Sequence, residues 1–183
     1  MALRVDIGGG EALVWGEGGY GVVLAHGIVF DAASWEPQAV RIAQAGMVAM
    51  AVEDIAPASI LDAMEYLRSE RGVEGVALLG GSAGADAILE AVLHAPGSAD
   101  QLILLSSNRV AEGLGPEPKL FVASEGEPVA EVSRELARAS AGDENEVEIL
   151  PGDAHAQHIF NSEQGEPLMR LILERLDRFS AKP

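Results

Sequence analysis

The feature that most constrains the fold of this chain is a regular alternation between short apolar runs and longer amphipathic segments. The apolar runs have the length of strands, and the amphipathic segments carry apolar residues at helical spacing. Parallel strands need long crossover connections, usually helices, and their burial on both faces makes them apolar throughout. The alternation therefore predicts an α/β fold, a mostly parallel, doubly wound sheet with helices on both faces.

The predicted elements cover almost the whole chain, with no linker between them. The predicted strands are residues 3–7, 11–16, 21–26, 47–52, 75–80, 100–107, 118–124 and 146–152. The predicted helices are residues 34–46, 57–72, 83–95, 128–140 and 167–179. The first two strands flank the turn signal Gly8-Gly9-Gly10 and are expected to form a hairpin. Ser34 is expected to cap the first helix and Gly72 to end the second. We expect one domain over residues 1–183.

The charge and the composition of the chain exclude several classes of partner and chemistry. Lys and Arg number 12 against 29 Asp and Glu, which gives a net charge of −17. This charge should repel nucleic acid and anionic membranes, because phosphate binding needs a positive surface. The absence of cysteine excludes disulfides, thiolate metal sites and a cysteine nucleophile. The sequence contains no signal peptide and no apolar run that could span a bilayer, so we expect a cytoplasmic protein.

A serine between glycines interrupts the apolar stretch VALLGGSAGADAILE at residues 76–90. The segment Gly80-Gly81-Ser82-Ala83-Gly84 has the pattern G-x-S-x-G and lies where a predicted strand passes into a predicted helix. A sharp turn there holds the serine backbone in a strained conformation, so the residues two positions away on either side must lack bulky side chains. The following helix directs its N-terminal N–H groups toward the same point. This context favours Ser82 as a nucleophile over a capping serine.

A second glycine motif is not expected to bind a cofactor. The segment GEGGYG at residues 16–21 has the dinucleotide pattern G-x-G-x-x-G. That motif must follow a strand and open a helix, whereas this one precedes a predicted strand. It is interpreted as a turn, and no cofactor is implied.

Several segments together resemble the α/β-hydrolase superfamily, and the resemblance covers essentially the whole chain. VVLAHGIVFDAASW resembles strand 3 of that family and its following loop, and AQAGMVAMAVED the next helix-to-strand passage. ALLGGSAG resembles the nucleophile elbow, PKLFVASEGEP the turn that bears the acid, and LPGDAHAQHIF the histidine loop. The order of nucleophile, acid and histidine also matches. The implied protein is a small lidless serine esterase or a dienelactone-hydrolase-like member.

The resemblance implies a catalytic triad. Ser82 would be the nucleophile and His155 its base, with His158 as the rival three residues later. The family usually has aspartate in the turn after strand 7, and here the matching residue is Glu127. Glutamate also occurs in such triads. Glu125 lies two residues away and stays open as an alternative acid.

The resemblance also implies an oxyanion hole built from the backbone N–H groups of Ile28 and Ala83. His26, just before this loop, is interpreted as structural. A metal site formed by Asp153 and the two later histidines lacks further convincing ligands and is not expected.

Lids in this family commonly enter after strand 6, where this chain has only the segment NRVAEGLGPEPK before the next strand. That length leaves no room for a cap domain, so a shallow, open site is expected. The resemblance thus implies a carboxylesterase-like serine hydrolase that cleaves esters of small or short-chain acyl substrates through an acyl-enzyme. The alternatives are a thioesterase or other acyl hydrolase with the same triad, and a noncatalytic binding module of this fold. The expected partner is a small-molecule ester, and open sheet edges would allow a homodimer.

Overall fold

The computed structural model describes residues 1–8 and 10–180. The strands are β1 (Leu3–Ile7), β2 (Gly10–Trp15), β3 (Tyr20–Ala25), β4 (Val48–Val52), β5 (Gly75–Gly81), β6 (Gln101–Leu105), β7 (Lys119–Ser124) and β8 (Asn145–Leu150). The α-helices are α1 (Glu36–Gln44), α2 (Pro57–Arg71), α3 (Ala83–His94), α4 (Ala130–Ala139) and α5 (Gly165–Ser180). Two 3-10 helices span Ala32–Trp35 and Ala156–Asn161. No helix within the described ranges has both the length and the hydrophobicity that crossing a bilayer requires.

The eight strands form one sheet in the order β1-β2-β4-β3-β5-β6-β7-β8. β2 is antiparallel to β1 and to β4, and every later pair is parallel. The predicted hairpin and the mostly parallel sheet are therefore confirmed, although Gly9 of the predicted turn lies outside the described residues. β5, which ends just before Ser82, lies inside the sheet between β3 and β6.

Helices cover both faces of the sheet, as predicted. Side chains of a strand alternate between its faces, so each buried strand contributes to two apolar layers. In β3, Val23 and Ala25 pack in the layer that contains α2, α3 and α4. Val22 and Leu24 pack in the opposite layer, with α1 and α5. This burial on both faces explains why β3 is apolar along almost its whole length.

The first predicted helix differs from the observed one. Ser34 is not the cap of α1; it lies inside the 3-10 helix that precedes it. Asp31 caps that 3-10 helix, because its carboxylate accepts a hydrogen bond from the backbone N–H of Ser34 at 2.9 Å. α1 then begins at Glu36 after Trp35, which provides no side-chain cap. The predicted end of α2 is confirmed, since Gly72 follows it with φ 67°, a conformation that favours glycine.

Several other strand and helix ends differ by a few residues from the predicted ones. The predicted strand 100–107 ends at Leu105, because Ser106 has φ 50° and cannot continue a strand. The predicted strand 146–152 ends at Leu150, and the predicted helix 128–140 begins at Ala130. Residues 106–118 join β6 to β7 without a helix or a strand, so no cap domain covers the sheet at this point.

Candidate active site

The candidate site lies at the carboxyl ends of the parallel strands. β3, β5, β6, β7 and β8 run in the same direction, so the residues that follow them meet at one edge of the sheet. Ser82 follows β5, Glu127 lies three residues after the end of β7, and His155 lies five residues after the end of β8. The sheet thus brings together residues that are far apart in the chain.

Ser82 sits on a strained turn between β5 and α3. Its φ of 52° and ψ of −116° are unusual for a residue with a side chain, and such conformations persist only where the surroundings enforce them. A Cβ at Gly84 would lie 2.2 Å from the carbonyl oxygen of Ala25, and one at Gly80 would lie 2.8 Å from the backbone nitrogen of Ala85. Both glycines of the motif are therefore required by sterics, as predicted.

His155 is the histidine that contacts the predicted nucleophile. Its Nε2 lies 2.8 Å from Ser82 Oγ, within hydrogen-bond distance. His158, the rival base, is exposed on the 3-10 helix that follows, where its ring stands 5.0 Å from the ring of Phe30. The two histidines thus point to different surroundings, and His155 has the geometry that a general base needs.

Glu127 completes a chain of hydrogen bonds behind His155. Its Oε1 lies 2.5 Å from His155 Nδ1, and its side chain is only 3% exposed. Its second oxygen, Oε2, accepts the backbone N–H of Ser124 at 2.6 Å and the hydroxyl of Ser106 at 3.0 Å. A buried carboxylate needs such partners to remain charged. Glu125, the alternative acid, is exposed.

The network assigns the proton positions on the imidazole. A carboxylate can only accept, so the proton of His155 lies on Nδ1 and is donated to Glu127. Nε2 is then free to accept the hydroxyl proton of Ser82. This tautomer is the one in which a serine hydroxyl can be activated for attack.

Ser106 is a site residue that the sequence did not point to. It is fully buried, and its hydroxyl donates to Glu127 while accepting the backbone N–H of Ala156 at 2.9 Å. It therefore joins the predicted acid to the residue directly after His155. Both Ser106 and Ala156 have φ near 50°, so the backbone is strained on each side of this contact. The position of Ser106 directly after a buried strand is a signal that could have been used.

The loop after β3 passes close to Ser82, as the oxyanion-hole prediction requires. A Cβ at Gly27 would lie 3.7 Å from Ser82 Cβ. In residues 1–8 and 10–180, no protein acceptor is found for the N–H groups of Ile28 and Ala83. Both donors therefore remain available to a bound oxygen. Just before this loop, the two ring nitrogens of His26 lie 2.8 and 2.9 Å from the carbonyl oxygens of Gly27 and Glu53, which fits its expected structural role.

A second polar side chain approaches Ser82 from the β6–β7 connection. Asn108 donates from its side-chain amide to Asp86 at 2.8 Å, and its backbone N–H bonds the same carboxylate at 2.9 Å. The amide nitrogen is also 3.5 Å from Ser82 Oγ, at the long limit of a hydrogen bond. No local motif around Asn108 indicates this contact in the sequence.

The surroundings of the site are open and partly apolar. Ile28 is 83% exposed and Val29 is 76% exposed, although large apolar side chains are normally buried. They lie at the tip of the loop that passes Ser82. Within the described parts of the chain, no three histidine or acidic side chains are grouped as a metal ion would need.

Comparison with solved structures shows the same fold in several hydrolases. A predicted CIB-like hydrolase from Thermoplasma acidophilum is 18% identical, with a TM-score of 0.76 over 97% of this chain and 98% of that one. Est1E from Butyrivibrio proteoclasticus is 14% identical, with a TM-score of 0.77 over 99% of each chain. An esterase/lipase from an uncultured bacterium is 14% identical, with a TM-score of 0.84 over 100% of this chain and 85% of that one.

No protein-family model and no curated protein sequence matches the chain. At such low identities the solved structures establish the fold alone, which is that of the α/β-hydrolases. One fold can carry unrelated activities, so the activity must be argued from the site.

Proposed function

We propose that the protein is a serine hydrolase that cleaves carboxylic esters through an acyl-enzyme, with Ser82 as the nucleophile, His155 as the base and Glu127 as the orienting acid. The observation that carries the proposal is the unbroken contact from Ser82 Oγ to His155 Nε2, and from Nδ1 to Glu127 Oε1, at 2.8 and 2.5 Å. A merely structural serine would not need a histidine whose tautomer is fixed by a buried carboxylate. The esterases that share the fold support the same class of reaction.

In the acylation step, Ser82 Oγ attacks the ester carbonyl carbon while its proton passes to His155 Nε2. The carbonyl oxygen becomes an oxyanion and accepts the N–H groups of Ile28 and Ala83. His155 then gives the same proton to the leaving alcohol, and the acyl group remains on Ser82 as an ester. Glu127 stabilises the positive charge that the imidazole carries between these two transfers.

In the deacylation step, His155 takes a proton from a water molecule, which attacks the carbonyl carbon of the acyl-enzyme. The same N–H groups hold the second oxyanion. Collapse of that intermediate breaks the bond to Ser82 Oγ, which recovers its proton from His155. The products are a carboxylic acid and a free enzyme.

The substrate expected at this site is a small ester with an apolar, short acyl group. No cap domain encloses the site, so a long chain would find few walls to contact. The exposed side chains of Ile28 and Val29 offer an apolar surface beside the reacting carbon. Burial of apolar surface contributes about 25 cal/mol per Å², so a short group against two side chains gains only modest affinity. A cytoplasmic location and a homodimer remain predictions.

The proposal is tested by labelling the protein with a fluorophosphonate probe and measuring intact mass. We expect one adduct, which peptide mapping locates on Ser82. The variants Ser82→Ala and His155→Ala should lose the adduct, because one lacks the nucleophile and the other its base. His158→Ala is the matched control, since it removes an exposed histidine of the same loop and should leave labelling intact.

Each other outcome has a defined meaning. A folded wild-type protein that is not labelled would refute an activated serine and favour a binding module of this fold. Labelling that survives His155→Ala and disappears in His158→Ala would keep the hydrolase and change the base. Turnover of matched p-nitrophenyl esters and acyl thioesters then separates an esterase from a thioesterase.

A further inference from the structure

One buried side chain connects the segment that carries His155 to the loop that carries Ile28. Gln157 is 5% exposed and lies two residues after His155. Its Oε1 accepts the backbone N–H of Gly27 at 2.8 Å, and its Nε2 donates to the hydroxyl of Ser34 at 2.9 Å. The amide therefore bonds both ends of the loop at residues 27–34, which we call the oxyanion loop.

The side chain of Gln157 also lies beside the end of β5, the strand that precedes Ser82. A Cβ at Gly81 would lie 3.5 Å from Gln157 Cγ and 3.3 Å from Ala156 Cβ. Gly81 directly precedes Ser82, so Gln157 lies against the strand end that presents the nucleophile. The oxyanion loop, the elbow and the histidine segment thus meet at one residue.

Apart from Gln157, the oxyanion loop is attached to other parts of the chain at Phe30, whose ring contacts that of His158, and at Ala32, whose N–H donates to Glu53. Ile28 and Val29 are mostly exposed, so packing contributes little there. The backbone bond from Phe30 N–H to Gly27 oxygen, at 3.0 Å, closes the turn but does not attach it to another element. Gly27 itself has no side chain that could restrict its rotation. The bond to Gln157 therefore attaches the N–H side of Gly27 to the segment of His155, while the His26 ring links the Gly27 carbonyl oxygen to that of Glu53.

An oxyanion hole accelerates a reaction only when its donors are already oriented toward the developing charge. The peptide N–H of Ile28 follows Gly27 directly, so rotation at Gly27 would turn this donor away. We propose that Gln157 is a positioning residue, which holds Gly27 so that the Ile28 N–H faces the oxyanion and ties this donor to the segment of His155. The inference rests on the proposed function, because it assigns a role within that reaction.

The test compares four variants on p-nitrophenyl acetate. Gln157→Leu removes both hydrogen bonds, Gln157→Glu keeps an acceptor for Gly27, and Ser34→Ala removes only the acceptor of Nε2. Gln44→Leu is the matched control, because it makes the same substitution at the exposed last residue of α1. Urea unfolding and circular dichroism establish that each variant is folded before its kinetics are measured.

The expected losses follow from the value of one oxyanion donor, about 10²–10³ in rate. Gln157→Leu should lower kcat by roughly 10²-fold with little change in KM, because the transition state is affected and the bound ester is not. Gln157→Glu should recover part of this loss, Ser34→Ala should lose less than Gln157→Leu, and the Gln44 control should equal the wild type. A trifluoromethyl ketone, whose adduct with serine places an oxyanion in the hole, should lose affinity in parallel with kcat/KM.

The outcomes separate this inference from the proposed function. A folded Gln157→Leu that keeps wild-type kcat, or that loses kcat while the trifluoromethyl ketone binds unchanged, overturns the role of Gln157 alone. If Gln157→Leu fails to fold, Gln157→Met decides, because it keeps the length of the side chain but offers no amide oxygen to the Gly27 N–H. Wild-type kcat and ketone affinity in a folded Gln157→Met would refute the role. A wild-type protein that neither turns over esters nor labels at Ser82 refutes the proposed function itself, and with it any positioning role.

Discussion

Replacement of Glu127 by glutamine is the perturbation whose outcome depends most directly on the geometry of the site. Glutamine has the same shape but cannot accept at both ends, since one of its terminal groups is an NH₂ donor. Two donors, the backbone N–H of Ser124 and the hydroxyl of Ser106, already point at one oxygen of the carboxylate, at 2.6 and 3.0 Å. The amide oxygen should therefore turn toward these donors, which leaves the NH₂ group facing His155 Nδ1.

That orientation fixes the wrong tautomer of His155. An NH₂ donor at Nδ1 forces the imidazole proton onto Nε2, which can then no longer accept the hydroxyl proton of Ser82. The opposite orientation of the amide would restore the productive tautomer, but it would lose the two hydrogen bonds from Ser124 and Ser106. At about 1 kcal/mol each, this loss makes that orientation roughly 2 kcal/mol less stable, so its population is lower by a factor of about 30. The variant also lacks the negative charge that stabilises the imidazolium, and an equivalent change in a Ser-His-Asp triad lowers kcat by about 10⁴. We expect a loss of about 10³-fold or more in kcat.

The assay is steady-state hydrolysis of p-nitrophenyl acetate, with urea unfolding as the test of folding. Glu125→Gln is the matched control, because it makes the same change on an exposed carboxylate two residues away. It should retain wild-type kcat. A folded Glu127→Gln that keeps more than a tenth of the wild-type kcat would refute the reasoning, and so would a loss confined to Glu125→Gln.

Three further predictions test the elbow, the support of the acid and the core. Gly84→Ala should lower the free energy of unfolding by about 1–3 kcal/mol and remove most of the activity, because the new Cβ would lie 2.2 Å from a carbonyl oxygen of β3. Gly19→Ala is the control, since the space around Gly19 is open, and its stability in urea should be nearly unchanged. Ser106→Ala should lower kcat by about tenfold without a comparable rise in KM, because one donor to Glu127 is lost; unchanged kcat would argue against this support. Burial raises the pKa of Tyr20 from 10.0 to about 12. Between pH 10 and pH 12 the unfolded chain therefore loses a proton that the folded chain keeps. The free energy of unfolding should fall by about 1.4 kcal/mol per pH unit in this range. Urea unfolding at pH 9 and pH 11 measures this fall, which Tyr20→Phe should remove.

Local signals in the sequence predicted the fold well where one residue type determines the conformation. Gly72 was predicted to end α2, and only glycine readily adopts its φ of 67°. Ser34 was predicted as a cap and is not one, because the helical turn begins three residues earlier at Asp31. The Asp31 carboxylate accepts the N–H of Ser34, and the Ser34 hydroxyl donates to the carbonyl oxygen of Asp31. The two residues compete for one turn, and the sequence alone gives no measure of which interaction is stronger.

The candidate active site also combines features that are encoded locally with features that are not. The strained turn at Ser82 is encoded locally, because Gly80 and Gly84 exclude the side chains that would collide with their neighbours. The choice between His155 and His158 is not local, since both occur in one short loop. In the structure His155 contacts Ser82 whereas His158 contacts Phe30, and the backbone between the two histidines has the unusual φ of 50° at Ala156.

The position of Ser106 directly after a buried strand indicates only that it lies near the site. Its role in supporting the proposed triad could not be assigned from the sequence, because that role depends on the register of the sheet. Pairing of Gly81 with Leu105 places Ser106 beside the turn at Ser82, and pairing of Ser124 with Leu150 places the turn of Glu127 beside the loop that carries His155. A slip of one residue in either pair would turn the neighbouring side chains to the other face. The use of glutamate also follows from this register. Its Oε2 bonds to the N–H of Ser124 and to Ser106 while Oε1 reaches His155, and an aspartate at the same position would be shorter by one methylene, too short to keep all three contacts. Glu127 therefore suits this site because the strand ends set a distance that the shorter acid would not span.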